Sequence, residues 1–87
     1  MNLKETLNAT GETLIKTGSP DAKLEAEVLI RHVLRIDRAT FLRDLEEPVT
    51  KYDRERLDGL VARRLRREPL NYITGFREFY GLSFEVS

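Results

Sequence analysis

Pro20-Asp21-Ala22-Lys23-Leu24-Glu25-Ala26-Glu27-Val28-Leu29-Ile30-Arg31-His32-Val33-Leu34 is the stretch that decides the fold. Its apolar residues, Leu24, Ala26, Val28, Leu29, Ile30, Val33 and Leu34, recur at helical spacing but cover a wide arc. A stripe that broad describes a helix with neighbours on more than one side, so it belongs at the centre of a bundle. Ser19 is placed to cap its exposed N–H groups, Pro20 suits a first helical position, and Asp21 favours the positive end of the dipole.

Working outward, the upstream segment reads as a helix from Leu3 to Thr17, carried by Leu3, Leu7, Leu14 and Ile15 and closed by Gly18 as a left-handed cap. Gly11 inside it should cost ~1 kcal/mol against alanine unless it permits close helix contact. Downstream, Asp37 caps a short helix from Arg38 to Leu45 with Phe41, Leu42 and Leu45 facing inward, and Glu46-Glu47-Pro48 breaks it. Thr50 followed by Asp53 resembles a capping box with a shorter acid. It opens a helix to Arg67 whose stripe is Leu57, Leu60, Val61 and Leu65. Pro69 then starts a turn of helix, Leu70 to Thr74, stopped by Gly75.

After Gly75 the pattern changes. Phe76-Arg77-Glu78-Phe79-Tyr80 and Ser83-Phe84-Glu85-Val86 flank Gly81-Leu82 and read as a β-hairpin. Five of the seven aromatics (Tyr72, Phe76, Phe79, Tyr80, Phe84) fall in this region. An isolated hairpin is marginal in water, so this one either packs on the bundle or meets further polypeptide. The expected fold class is therefore mainly α, a small bundle of four or five helices followed by a C-terminal hairpin.

At 87 residues the chain is one small domain, too short for a complete nucleotide-binding α/β enzyme. Fifteen basic and fifteen acidic residues argue against a generally basic nucleic-acid binder. The absence of cysteine excludes disulfides and thiolate metal sites. No apolar run reaches the ~18 residues of a membrane span. Met1-Asn2-Leu3-Lys4-Glu5 lacks a signal-peptide layout, so a soluble cytoplasmic domain is expected.

Chemistry-bearing patterns are few. His32 lies mid-helix with no Cys or second His to complete a metal site, and it reads as an ordinary helix residue. Phosphate-cradling glycine loops and a serine elbow are lacking. Glu25 and Glu27, two apart on a helix, point away from each other and do not form an acid–base pair. The segment is expected to be non-catalytic, with no catalytic, cofactor-binding or metal residue of its own. Arg63, Arg66 and Arg67 fall on the solvated side of the fourth helix. Arg64, at about 100° per residue, falls inside the Leu57–Leu65 arc and needs a partner. An ion pair to Glu27 or Glu25 would tie the two longest helices together; the alternative is direct contact with a ligand. Arg67 to Gly75 packs a stop, a restart and a second stop into one rigid elbow, either a well-capped turn or an interdomain hinge.

Taken together, Arg63-Arg64, Glu68-Pro69-Leu70, Tyr72-Ile73-Thr74-Gly75 and Arg77-Glu78-Phe79-Tyr80-Gly81-Leu82-Ser83-Phe84-Glu85-Val86-Ser87 resemble the segment before the catalytic domain of the HemK/PrmC family, the release factor glutamine methyltransferases. Glu25-Ala26-Glu27-Val28-Leu29-Ile30 is similar to that family's acidic-Ala-Glu-Leu-Leu stretch. The resemblance implies a helical domain, 1–75, joined by a hairpin linker, 76–87, to a Rossmann-like domain absent from this chain. The whole enzyme would transfer a methyl group from S-adenosylmethionine to the glutamine of the Gly-Gly-Gln motif of peptide-chain release factors. The family's Asn-Pro-Pro-Tyr motif and glycine-rich cofactor loop do not occur here, so no catalytic or cofactor residue carries over. The implied partners are a release factor and the catalytic domain. Candidate contact residues are Arg63, Arg66, Arg67, Tyr72, Phe76, Arg77, Phe79 and Tyr80. Two other classes compete: a small RNA-binding bundle using the arginine face, and a free-standing adaptor offering a hairpin edge.

Overall fold

The structure, a computed structural model, describes residues 1–75. The expected hairpin, with Phe76, Arg77, Phe79 and Tyr80, lies outside the described residues. Within them the chain forms α1 (Leu3–Leu14), a 3-10 turn (Ile15–Thr17), α2 (Ala22–Leu34), α3 (Arg38–Arg43), α4 (Lys51–Leu65) and α5 (Leu70–Thr74), with no strand. No helix among these residues is long and apolar enough to cross a membrane.

The start of α1 accounts for each of its first N–H groups. Asn2 Oδ1 accepts from Glu5 N at 2.8 Å, and Glu5 Oε1 accepts from Asn2 N at 2.9 Å, a complete capping box. Leu3 N donates to Glu47 O at 3.0 Å and Lys4 N to Leu45 O at 2.9 Å, while Val49 N donates back to Met1 O at 2.9 Å. Helix-end donors that would face an apolar interior are thus satisfied by the α3–α4 connection. Residues Glu46-Glu47-Pro48, which sequence reading treats as a breaker alone, form this seam, and Asn2 and Pro48 pair across it. At the other end Gly18 closes the helix with φ 83°, after a last turn that tightens to 3-10 geometry.

The apolar residues Ala22, Ala26, Leu29, Ile30 and Val33 of α2 are buried, as is Glu27, and the helix packs on α1, α4 and α5. Its central place agrees with its broad stripe. It begins two residues later than expected, at Ala22, with Asp21 at the N-cap. The Ser19 hydroxyl accepts from Asp21 N and donates to the Glu25 carboxylate, leaving Asp21 at the N-cap without a side-chain bond. Gly11 is buried where α1 meets α2; a Cβ there would lie 3.6 Å from Lys23 Cα.

Asp37 Oδ1 caps α3 through Thr40 N at 2.8 Å. The helix ends at Arg43 rather than Leu45, where Asp44 leaves helical geometry with φ -104°, and the Leu45 carbonyl accepts from Lys4 N. Phe41 is 1% exposed at the centre of the core, and Leu45 packs against it from the edge. Leu42, expected inward, is 53% exposed, and Leu24 of α2 is 51% exposed. Both line an open groove between α1, α2 and α3 instead of joining the core.

Thr50 Oγ1 accepts from Asp53 N at 3.1 Å and opens α4, whose Leu57 and Val61 are buried, Leu60 partly so and Leu65 exposed. The helix stops at Leu65, two residues short of the expected Arg67. Glu68 N bonds Arg63 O, Arg67 N bonds Arg64 O, and Arg67 takes φ 71°, a Schellman closure built on arginine rather than glycine. Pro69 precedes α5, and Gly75 follows it with φ 85°.

Candidate functional site

Of the residues singled out in the sequence, Glu25, Arg63, Arg64, Arg66, Arg67 and Tyr72 lie where α4, α5 and the turn before α2 meet, while Phe76, Arg77, Phe79 and Tyr80 lie outside the described residues. Arg64 projects from the inner side of α4 toward α2. Its Nε lies 2.9 Å from Glu25 Oε1 and its Nη2 3.3 Å from Glu25 Oε2, a two-pronged contact that suits a planar guanidinium. The remaining Nη1 donates to the Glu68 carbonyl at 3.2 Å, and Ser19 Oγ donates to Glu25 Oε2 at 2.8 Å. One carboxylate and one guanidinium therefore join the turn before α2, the end of α4 and the entry to the elbow. Their side chains are 12% and 19% exposed, which shields the pair from solvent screening.

Burial pushes the Glu25 carboxyl pKa up. The hydrogen bonds from Arg64 and Ser19, with the Arg64 charge, outweigh it and hold the group below the usual glutamate value. The same contact raises Arg64 further. Both groups stay charged at neutral pH, which suits a fixed strut and not proton transfer.

Glu27 faces a different neighbourhood. Its Oε2 lies 3.3 Å from Arg31 Nη1 and 3.3 Å from Arg38 Nε. Arg63 pairs with Glu68 through both guanidinium prongs, and that contact lowers the Glu68 pKa. Arg66, Arg67 and Tyr72 are exposed around the elbow. A contact that sequence reading misses is Arg56, whose Nη1 donates to the Val33 carbonyl at 3.4 Å while its guanidinium sits 5.6 Å from the Tyr52 ring centroid. Arginine at that helical register carries no signal of its own, since the acceptor is the end of another helix. His32 is half-buried on α2. Among the described residues no group of three or more His, Cys, Asp or Glu is arranged to hold a metal ion.

The arrangement is thus a rigid mount: it fixes the direction in which the chain leaves α4 and presents cations and an aromatic ring beside that exit.

A family model described as the PrmC N-terminal domain matches residues 5–75. The chain is 38% identical over 87 residues to a release factor glutamine methyltransferase of Koribacter versatilis, covering 100% of this chain and 31% of that protein. Identity to the release factor glutamine methyltransferase of Geobacter sulfurreducens is 38% over 85 residues, 98% of this chain and 30% of the relative. A bifunctional methyltransferase of Rickettsia conorii is 36% identical over 86 residues, 99% of this chain and 16% of the relative. The chain therefore spans a third or less of the length of these curated relatives. No solved structure matches it. With a family match that runs from α1 through α5 and ends at the elbow, the chain belongs to the PrmC N-terminal domain family.

Proposed function

We propose that this chain is the release-factor-recognising domain of a cytoplasmic, S-adenosylmethionine-dependent protein-glutamine methyltransferase, which modifies the glutamine of a Gly-Gly-Gln motif. The observation that carries this reading is the match across nearly the whole chain to release factor glutamine methyltransferases several times its length. Residues 1–75 act as the recognition unit, and 76–87 connect it to the catalytic domain. Arg63, Arg66, Arg67 and Tyr72, with Phe76, Arg77, Phe79 and Tyr80, form the surface facing that domain or the substrate.

The methyl donor supplies an electrophilic methyl group. No residue of this chain fits it, because the glycine-rich loop and the Asn-Pro-Pro-Tyr motif are not in the sequence. This domain contributes binding energy far from the reacting atoms, and a rigid mount converts that energy into orientation of the target glutamine.

The test is to incubate the full-length protein with release factor and isotope-labelled methyl donor, then map the label by mass spectrometry. Label on the Gly-Gly-Gln glutamine is expected. Residues 1–87 alone should neither bind the donor nor transfer methyl. Label on a different residue, or on RNA, would overturn the assignment.

A further inference from the structure

The groove between α1, α2 and α3 is the feature that the fold itself does not explain. It encloses about 380 Å³, has the buried ring of Phe41 in its floor and carries Leu24 and Leu42 on its walls. Both leucines sit at positions where helical periodicity calls for burial, yet each is half exposed. A smaller hollow of about 240 Å³ shares Leu7 and Lys23 with it and adds Ile15, 63% exposed, so the apolar strip continues along α1.

The rim is cationic. Glu27 is the carboxylate that lines the larger groove and is already shared between Arg31 and Arg38, while Glu12 lines the smaller hollow. The Arg38 side chain is 62% exposed, and Lys23 is exposed and in no ion pair among the described residues. Apolar walls with a positive rim complement an amphipathic protein segment that carries carboxylates beside its apolar side chains. A nucleic-acid backbone would satisfy the cations and leave the leucines in water.

We propose that this groove seats an acidic, amphipathic segment of the release factor, with apolar side chains between Leu24 and Leu42 and carboxylates on Lys23 and Arg38. The assignment rests on the function proposed above and names where that recognition occurs. Lys23, Leu24 and Glu27 occupy one arc of α2, and at about 100° per residue Glu25 projects from its opposite side. Substitutions in the groove therefore leave the Arg64–Glu25 strut untouched.

The experiment is calorimetric titration of release factor into the full-length protein, wild type and variants, with thermal melts to verify folding. Leu24→Asp combined with Leu42→Asp should weaken binding on the order of tenfold or more, as loss of a central apolar anchor does. Lys23→Glu should weaken it several-fold and flatten its dependence on salt, on the order expected for a rim charge. If the wild type binds and methylates release factor while both variants bind as tightly, the groove assignment falls and the function stands. If the wild type neither binds nor methylates it, both fall. Variants that abolish self-association, or RNA binding, in place of release-factor binding would overturn the groove assignment in favour of those occupants.

Discussion

Glu25 and Glu27 stand two residues apart on α2 and do opposite things. Glu25 faces α4, where Arg64 and Ser19 satisfy both of its oxygens at close range and bind three segments into one. Glu27 faces α3, where it is more deeply buried but accepts two longer contacts from guanidiniums, one of them largely solvated. The first is a strut joining elements distant in sequence; the second neutralises the floor of an open groove. The comparison teaches that depth of burial does not rank ion pairs. What matters is how many elements lose their connection when a partner is removed, and whether the remaining charge can reach water.

The largest effect should come from Arg64→Ala, which strands the shielded Glu25 carboxylate and frees the Glu68 carbonyl. We expect a loss of roughly 2–3 kcal/mol in chemical denaturation, the range for charged hydrogen bonds in sheltered sites. Acid should reveal the same strut. Because the folded-state pKa of Glu25 is depressed, its contribution is complete above the ordinary glutamate value of about 4.3 and is lost as pH falls through the lower folded value. Asp37, held down by the Thr40 N–H, and Glu68, held down by Arg63, act in the same direction. The melting temperature should fall below about pH 4 in the wild type and fall less steeply in Glu25→Gln; equal slopes would remove Glu25 from the account.

On the groove side, Glu27→Gln keeps an acceptor for Arg31 and should cost only about 1 kcal/mol by the same denaturation measurement. Arg38→Ala, at an exposed position, should change stability by less than about 0.5 kcal/mol. If Glu27→Gln proved as damaging as Arg64→Ala, the contrast between strut and floor would collapse.

Much of this was legible in the sequence, and the failures share a cause. Asp37 and Thr50 as helix starts, and Gly18 and Gly75 as stops, depend on local backbone chemistry that a few residues encode. Arg64 is legible because a guanidinium inside an apolar arc demands a partner, but the choice between Glu25 and Glu27 depends on where α3 and α4 lie, which periodicity does not state. Leu24 falls in the apolar arc of α2 and Leu42 in that of α3, yet a helical wheel records an apolar side without saying whether a neighbour covers it. The stop of α4 carries no sequence signal because its left-handed residue is Arg67, where glycine would announce it. The Asn2-Leu3-Lys4-Glu5 capping box is a local pattern, whereas the carbonyls of Leu45 and Glu47 that complete that helix start come from more than forty residues away and leave no local signal.

That seam between the first residues and the α3–α4 connection has a kinetic consequence. Its three backbone bonds, from Leu3, Lys4 and Val49, close a loop spanning about half the chain, whereas α1 meets α2, and α4 meets α5, across short connections. Closure entropy places such contacts late in assembly. In pulsed hydrogen–deuterium labelling during refolding, these three amides should become protected together, after those inside α2, so the amino-terminal turn is fastened last even though it leads the sequence.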